Sequence, residues 1–368
     1  MKKRNITLIT AILLFYACET KINEVETIVC DFSSPTHLFQ CEWIENITFT
    51  SLDTACLIGA ESELLLAGDN LFVKHGPYYD IRIDRFHTKG TYLNQIGQHG
   101  RGPGEYGDLS DWFLHDNNLI GIHGYGTKKI LLYKLSGGLE REVNYEVNAF
   151  MVHSDGNHFW ALKPPFADSL RLVYLSESGS TLKSMHKSEK TYPVSADLWR
   201  PFFRTNNKLY IGMSYNNTLF LSKNDTVIPS FMIDAGKYAI PQEFYNDPFE
   251  VYETIMQDGY AFVYNFLESN DYLVLQMLIQ QNDFCGMVWG VKNKKINHWF
   301  WSKMEIWPPG RNNEFYAADI TTDNRLVMLI YPDELKKQRP LMKNVINSNV
   351  LDYLNEDDNP VLVEIRFK

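Results

Sequence analysis

Cysteine is scarce in this chain. It occurs five times in 368 residues, at positions 18, 30, 41, 56 and 285, with no C-x-x-C pair and no Cys/His spacing of the kind that holds zinc, so the pattern indicates neither metal nor cofactor. Long apolar runs are also missing: the stretch from Ile6 to Ala17 falls well short of the roughly 20 residues that span a bilayer. Positive charge is in deficit, with 35 Lys and Arg against 45 Asp and Glu and a net charge of −10, which argues against a nucleic-acid partner. There is no G-x-S-x-G elbow and no H-E-x-x-H pair, and strong helical periodicity is rare. No residue is therefore singled out as catalytic.

What is present begins with Lys2, Lys3 and Arg4 ahead of the apolar run, the layout of a signal peptide. Phe15-Tyr16-Ala17-Cys18 is similar to the lipobox of bacterial lipoproteins, which makes Cys18 the expected site of lipidation. Cleavage before Cys18 removes three cations and no acid, taking the net charge from −10 to −13. The expected organisation is a signal peptide over residues 1–17, a lipidated tether over 18–42 and one folded domain over 43–368. In an exported chain Cys30 and Cys41 could close a small N-terminal loop as a disulfide, whereas Cys56 and Cys285 sit in apolar stretches and read as buried free thiols.

The folded part repeats itself. An Asn or Asp precedes an apolar strand, a second strand follows, then a Gly or Asn turn, then a third strand; the anchors are Asn70, Asn118, Asn157, Asn207, Asn270 and Asn324. Spacing on the order of 40 to 60 residues is that of propeller blades. The sequence predicts an all-β fold, a six-bladed β-propeller of four-stranded antiparallel blades. Closure is expected from the C-terminal strand at Val361 to Phe367 pairing with Ile47 to Leu52. Two excursions, residues 235–259 and 332–358, are read as rim insertions with short helices.

One loop invites a different reading. GQHGRGPGEYG, residues 97–107, contains a literal G-x-G-x-x-G, but a strand rather than a helix follows it and Pro103 rules out a Walker loop. In the repeat frame it must cross from the outer strand of one blade to the inner strand of the next. Gly97, Gly100, Gly102, Pro103, Gly104 and Glu105 are then structural turn residues, with Arg101 and Glu105 able to pair.

These residues carry a resemblance. Asp84-Arg85-Phe86-His87-Thr88-Lys89-Gly90-Thr91-Tyr92-Leu93 followed by G-x-x-G-x-G-P-G-E-Y resembles the signature blade of NHL-like propellers, specifically the six-bladed β-propeller lipoproteins of Gram-negative gut bacteria, and Asp357-Asp358-Asn359-Pro360-Val361-Leu362 is similar to their ending. The resemblance covers about residues 44–368. It implies the fold and a cell-envelope location, with the outer membrane expected and the face undetermined, and assigns no catalytic residue.

Function is read as non-catalytic binding or scaffolding of an envelope protein or a glycan by a monomer whose contact with the membrane is through the lipid alone. The alternative is a lactonase- or lyase-type enzyme, which would need carboxylates, Asn or His from several blades converging on a metal in the central channel. His75 and His123 occupy matching places in two successive repeats and Lys163 a comparable place in the third. With His99 and Arg101 from the crossing loop they are candidate ligand-binding residues at one end of the channel, or else they pack between blades. The aromatic patch His298-Trp299-Phe300-Trp301 would place both tryptophans on one side of a strand, as packing between blades or as a sugar platform.

Overall fold

The computed structural model of the chain describes residues 25–33, 36–59, 62–116, 118–164, 170–187, 200–213, 216–240, 260–281, 284–306 and 317–368. Six antiparallel sheets form the predicted ring, each strand bonded to the next in sequence. From inside outward, blade I consists of Glu63–Ala67, Asn70–His75, Arg82–His87 and Tyr92–Gln95, and blade II of Asp111–His115, Leu119–His123, Lys129–Lys134 and Leu139–Asn144. Blade III starts with Met151–Ser154, blade IV with Phe202–Thr205 and blade V with Ala261–Glu268. Blade VI combines Ala317–Ile320, Arg325–Ile330 and Val361–Phe367 with Ile44–Ser51 from the other end of the chain, antiparallel and in register from Phe49 against Val363 to Ser51 against Val361. This is the expected clasp: the ring closes only by joining both ends of the domain.

Period-2 alternation explains the packing. Side chains of a strand point alternately to the two faces of its blade, and each face meets a neighbouring blade, so the strands read as nearly continuous apolar runs. In blade I, Leu71 and Val73 face blade VI while Phe72 faces blade II. The buried core accordingly divides into six clusters, one at each junction between successive blades. Trp299 and Trp301 stack at 5.0 Å on one side of the outer strand of blade V, with Trp301 in the junction with blade IV, and His298 and Phe300 turn to the other side against Trp43. The alternation reading of this patch holds, and Trp301 is core.

The glycine turns of the repeat have a second role. Gly90, Gly137 and Gly179 connect the third and outer strands of blades I, II and III with φ of 94°, 98° and 89°. A Cβ at each would lie 2.1, 2.4 and 2.0 Å from the carbonyl oxygen of Ser51, Gln95 and Asn144, the last residue of the preceding blade's outer strand. The turns are thus clips between blades, closed by bonds such as Asp53 N–H to Gly90 C=O (2.8 Å) and Gly97 N–H to Gly137 C=O (3.0 Å).

Two expectations about the N-terminal segment need correction. Residues 25–42 are not a bare tether: Glu26–Val29 adds a fifth, parallel strand outside Thr226–Asp234 of blade IV, with Ile28 buried, and Leu38 and Phe39 are packed into the junction of blades V and VI. Alternating apolar residues there have a sheet edge and a groove to cover, which sequence spacing alone does not reveal. Cys30 and Cys41 are both free thiols, drawn by this docking into different junctions, Cys30 between blades IV and V and Cys41 between V and VI. Burial pushes each thiol up to about 12. Cys56 is a buried free thiol as read; Cys18 and the side chain of Cys285 lie outside the described residues, as does the signal segment. The excursion at 332–358 carries the expected short helix, Pro332–Gln338, with Leu335 buried, whereas most of the 235–259 excursion lies outside the described residues.

Candidate functional site

The inner strands enclose an axial cavity of about 700 Å³. Its wall includes Trp112, His153, Arg200, Phe202, Arg204, Asn265 and Asp319, drawn from blades II to VI. It reaches the turns between first and second strands at Gly68-Asp69, Asn206-Asn207 and Thr321 to Asp323. Asn suits those turns because it tolerates the left-handed backbone, with φ of 48° and 60° at Asn206 and Asn207.

Two ionisable groups in the wall are half-buried. Burial holds the Arg204 guanidinium below its ordinary range despite the carboxylates of Asp155, Asp319 and Asp116 around it, while one of its nitrogens donates to the Leu114 carbonyl. Burial also pushes the Asp319 carboxyl up to about 7, against the Ile320 N–H (2.7 Å) and the Arg204 charge. Nearer the opposite end, Arg200 reaches Glu63 at 2.6 Å and the Trp112 indole N–H donates to the same carboxylate at 2.8 Å, with Lys74 on its other side. Burial alone would raise Glu63, but the two cations outweigh it and hold it at about 2. Asn265 is fixed by bonds to Gln276 (2.9 Å) and the Ala317 carbonyl (2.6 Å). This wall offers preset donors, acceptors and an aromatic edge, a chemistry of recognition.

The predicted binding residues are not brought together. His75 and His123 sit on opposite sides of their blades relative to the ring. In blade I the first two strands pair Ala67 with Asn70 across a two-residue turn, whereas in blade II His115 pairs with Leu119, one residue more. A one-residue slip reverses every side chain, so His75 faces blade VI and His123 faces blade III. His123 is fully buried against Tyr145, neither ring nitrogen has a hydrogen-bond partner, and burial pulls it down to about 4. Lys163 is half-buried beside Arg171, its carbonyl taking the Arg171 guanidinium at 3.1 Å.

The crossing loop is the connection expected. Tyr106 N–H donates to Gln98 C=O (3.0 Å), Gly100 N–H to Tyr106 C=O (3.1 Å), and the buried Tyr106 hydroxyl donates to Ile81 C=O (3.2 Å). Glu105 turns inward to accept the Gly102 N–H at 2.7 Å, in space that a side chain on Gly100 would fill, and not toward Arg101, which is exposed. Inside the loop a charged acceptor satisfies a backbone donor directly, which an exposed guanidinium cannot do. His99 donates from Nε2 to the loop itself, 3.1 Å from the Gly107 carbonyl oxygen. Neither His99 nor Arg101 lines the axial cavity.

His75 belongs to another arrangement, missed because its members come from separate elements. Its Nε2 lies 2.8 Å from Asp84 Oδ2 and 3.8 Å from Cys56 Sγ, and the three ligand-type atoms fall within 4.8 Å of one another. Among the described residues this is the group of His, Cys and carboxylate side chains able to hold a metal, and it lies outside the axial cavity.

A family profile described as a domain of unknown function, DUF4934, matches residues 25–366. The chain belongs to this family. The DUF4934 region begins at the strand added to blade IV and ends in the closing strand of blade VI, so the docked N-terminal segment falls within it. Among solved structures, a protein of Bacteroides fragilis described as exported has a TM-score of 0.72 at 17% identity, over 94% of this chain and 99% of that one. A DUF4221 family member from Bacteroides vulgatus has a TM-score of 0.50 at 10% identity, over 88% and 97%. At these identities the likeness carries the fold of this DUF4934 protein. No curated protein matches the chain.

Proposed function

We propose that this protein is an exported, envelope-held propeller that binds a glycan or protein segment in its axial cavity without catalysing a reaction. The observation that carries the reading is the cavity wall: the half-buried Arg204 and Asp319 side chains line it together with Asn265 and Trp112, a set of donors, acceptors and an aromatic edge that suits a polar ligand. The turns between first and second strands form the mouth, at the end opposite the crossing loop. The enzyme alternative calls for carboxylates, Asn or His from several blades converging on a metal; among the described residues the group of His, Cys and carboxylate side chains able to hold one lies outside the cavity.

Export and a lipid on Cys18 belong to the same proposal. The charged, apolar N-terminus and the Ala17-Cys18 junction support it, as does the exported description of the Bacteroides fragilis protein. Among the described residues no helix is long and apolar enough to cross a membrane. The test is a pull-down from envelope extract with the lipid-free protein, run beside a glycan array. Arg204→Leu and Asp319→Asn should each weaken capture at least about tenfold, and Arg101→Ala should not; capture unchanged in both cavity variants refutes the site. Separately, Cys18→Ser should move the protein from the detergent phase to the soluble or unprocessed fraction, and equal partitioning refutes the anchor.

A further inference from the structure

We propose that Cys56, His75 and Asp84 bind one zinc-class divalent cation, which staples the ring-closing segment to blade I. The three residues are 6%, 4% and 0% exposed. Cys56 lies on the segment between the outer strand of blade VI and the inner strand of blade I; His75 ends the second strand of blade I, and Asp84 is in the third, diagonal to it on the same face. A metal here joins the one covalent passage between the clasp and the first blade to the blade itself.

The geometry suits a tetrahedral ion. Metal–ligand lengths of about 2.3 Å to sulfur and about 2.0 to 2.2 Å to nitrogen and oxygen put ligand atoms roughly 3.3 to 3.6 Å apart. The observed 3.8 Å from sulfur to nitrogen and 2.8 Å from nitrogen to oxygen straddle that range, so closing one gap and opening the other by about half an ångström forms the site. A thiolate, a carboxylate and a divalent cation sum to zero charge, which makes the ion compatible with a buried position.

Cys56 and Asp84 are also held from behind, as metal ligands are. Asn359, itself buried, donates to Cys56 C=O at 2.7 Å and to Asp53 C=O at 2.9 Å and accepts from Ile58 N–H at 2.8 Å, fixing the cysteine segment. The Tyr92 hydroxyl donates to Asp84 Oδ1 at 3.2 Å and Arg82 Nη2 approaches the same oxygen at 3.3 Å, leaving Oδ2 for the ion. Two contacts must change. Arg82 Nε, 3.3 Å from Oδ2, belongs to a side chain 40% exposed that can turn to solvent. His75 Nδ1 accepts the Gly59 N–H at 3.3 Å, which places the ring proton on Nε2. Metal on Nε2 moves that proton to Nδ1, and a flip of the Ile58–Gly59 peptide, easy at glycine, turns the Ile58 carbonyl to receive it. The neutral imidazole keeps one proton throughout, and binding releases one proton in total, from the Cys56 thiol.

Cobalt titration of the reduced protein tests this. One equivalent of Co²⁺ should give a thiolate-to-cobalt charge-transfer band in the near ultraviolet and the strong visible bands of tetrahedral cobalt, and zinc should displace both. Cys56→Ser should abolish the ultraviolet band with the far-ultraviolet circular dichroism unchanged. Arg82→Ala, which keeps all three ligands, should tighten cobalt binding several-fold, and it decides the matter should Cys56→Ser not fold. The proposal is overturned if folded wild-type protein gives no thiolate band, if the band survives in Cys56→Ser, or if Arg82→Ala weakens binding.

Discussion

Gly137→Ala isolates the clip between blades I and II, because the adjacent Gly138 supplies its control. Gly137 has φ of 98°, and a Cβ there would stand 2.4 Å from the Gln95 carbonyl oxygen; a Cβ on Gly138 meets nothing within 4 Å, and its φ is outside the left-handed region. Forcing alanine into a left-handed conformation costs about 1 to 2 kcal/mol. The contact is short of ordinary van der Waals separation by nearly 1 Å against backbone, so the turn must retreat, and it takes with it the Gly97 N–H to Gly137 C=O bond, worth about 1 kcal/mol. The expected destabilisation is about 2 to 4 kcal/mol for Gly137→Ala, against a change within about 0.5 kcal/mol, or a slight gain, for Gly138→Ala. Urea unfolding followed by tryptophan fluorescence measures both. Equal midpoints for the two variants would refute the argument that these glycines are selected by the approach of the neighbouring blade.

The same assay checks three further points. Asn359→Ala removes three hydrogen bonds from residues 53–58 and should cost about 3 kcal/mol, chiefly by leaving buried backbone groups unpaired; a loss under about 1 kcal/mol would mean that this segment is held by other contacts. Glu268 joins blades IV and V, accepting from Lys208 and Lys294 at 2.8 Å and from Tyr210, and burial, which raises it, is outweighed by these donors so that it titrates below its ordinary range. Its contribution is therefore present above the unfolded carboxyl value and lost as pH falls through the lowered folded one, so Glu268→Gln should destabilise by about 3 kcal/mol at neutral pH and less in acid; a pH-independent difference contradicts this. Asp319 has the opposite sign: raised to about 7, it favours the folded state at low pH, and that advantage is lost as pH rises from about 4 through 7. Asp319→Asn should flatten stability over that interval, and an unchanged slope would show that the cavity does not desolvate the carboxyl.

Six Asn-led repeats, apolar strands of period two and a leftover strand at each end determined the propeller and its closure, because those features are local in sequence and a ring is what buries both faces of every blade. The crossing loop was legible for the same reason: a strand on either side leaves GQHGRGPGEYG nothing to do but connect. Three things were decided only in three dimensions. One extra residue in the first turn of blade II, invisible in an alignment on Asn70 and Asn118, put His75 and His123 on faces pointing opposite ways round the ring. Residues 25–42 read as a tether until a free edge on blade IV and a groove between blades V and VI gave their alternate apolar side chains something to cover. Cys56, His75 and Asp84 are 19 and 9 residues apart and carry no motif, and Arg204 and Asp319 are separated by most of two blades. Such groups meet because the ring closes, and what a side chain does once desolvated depends on neighbours that only closure supplies.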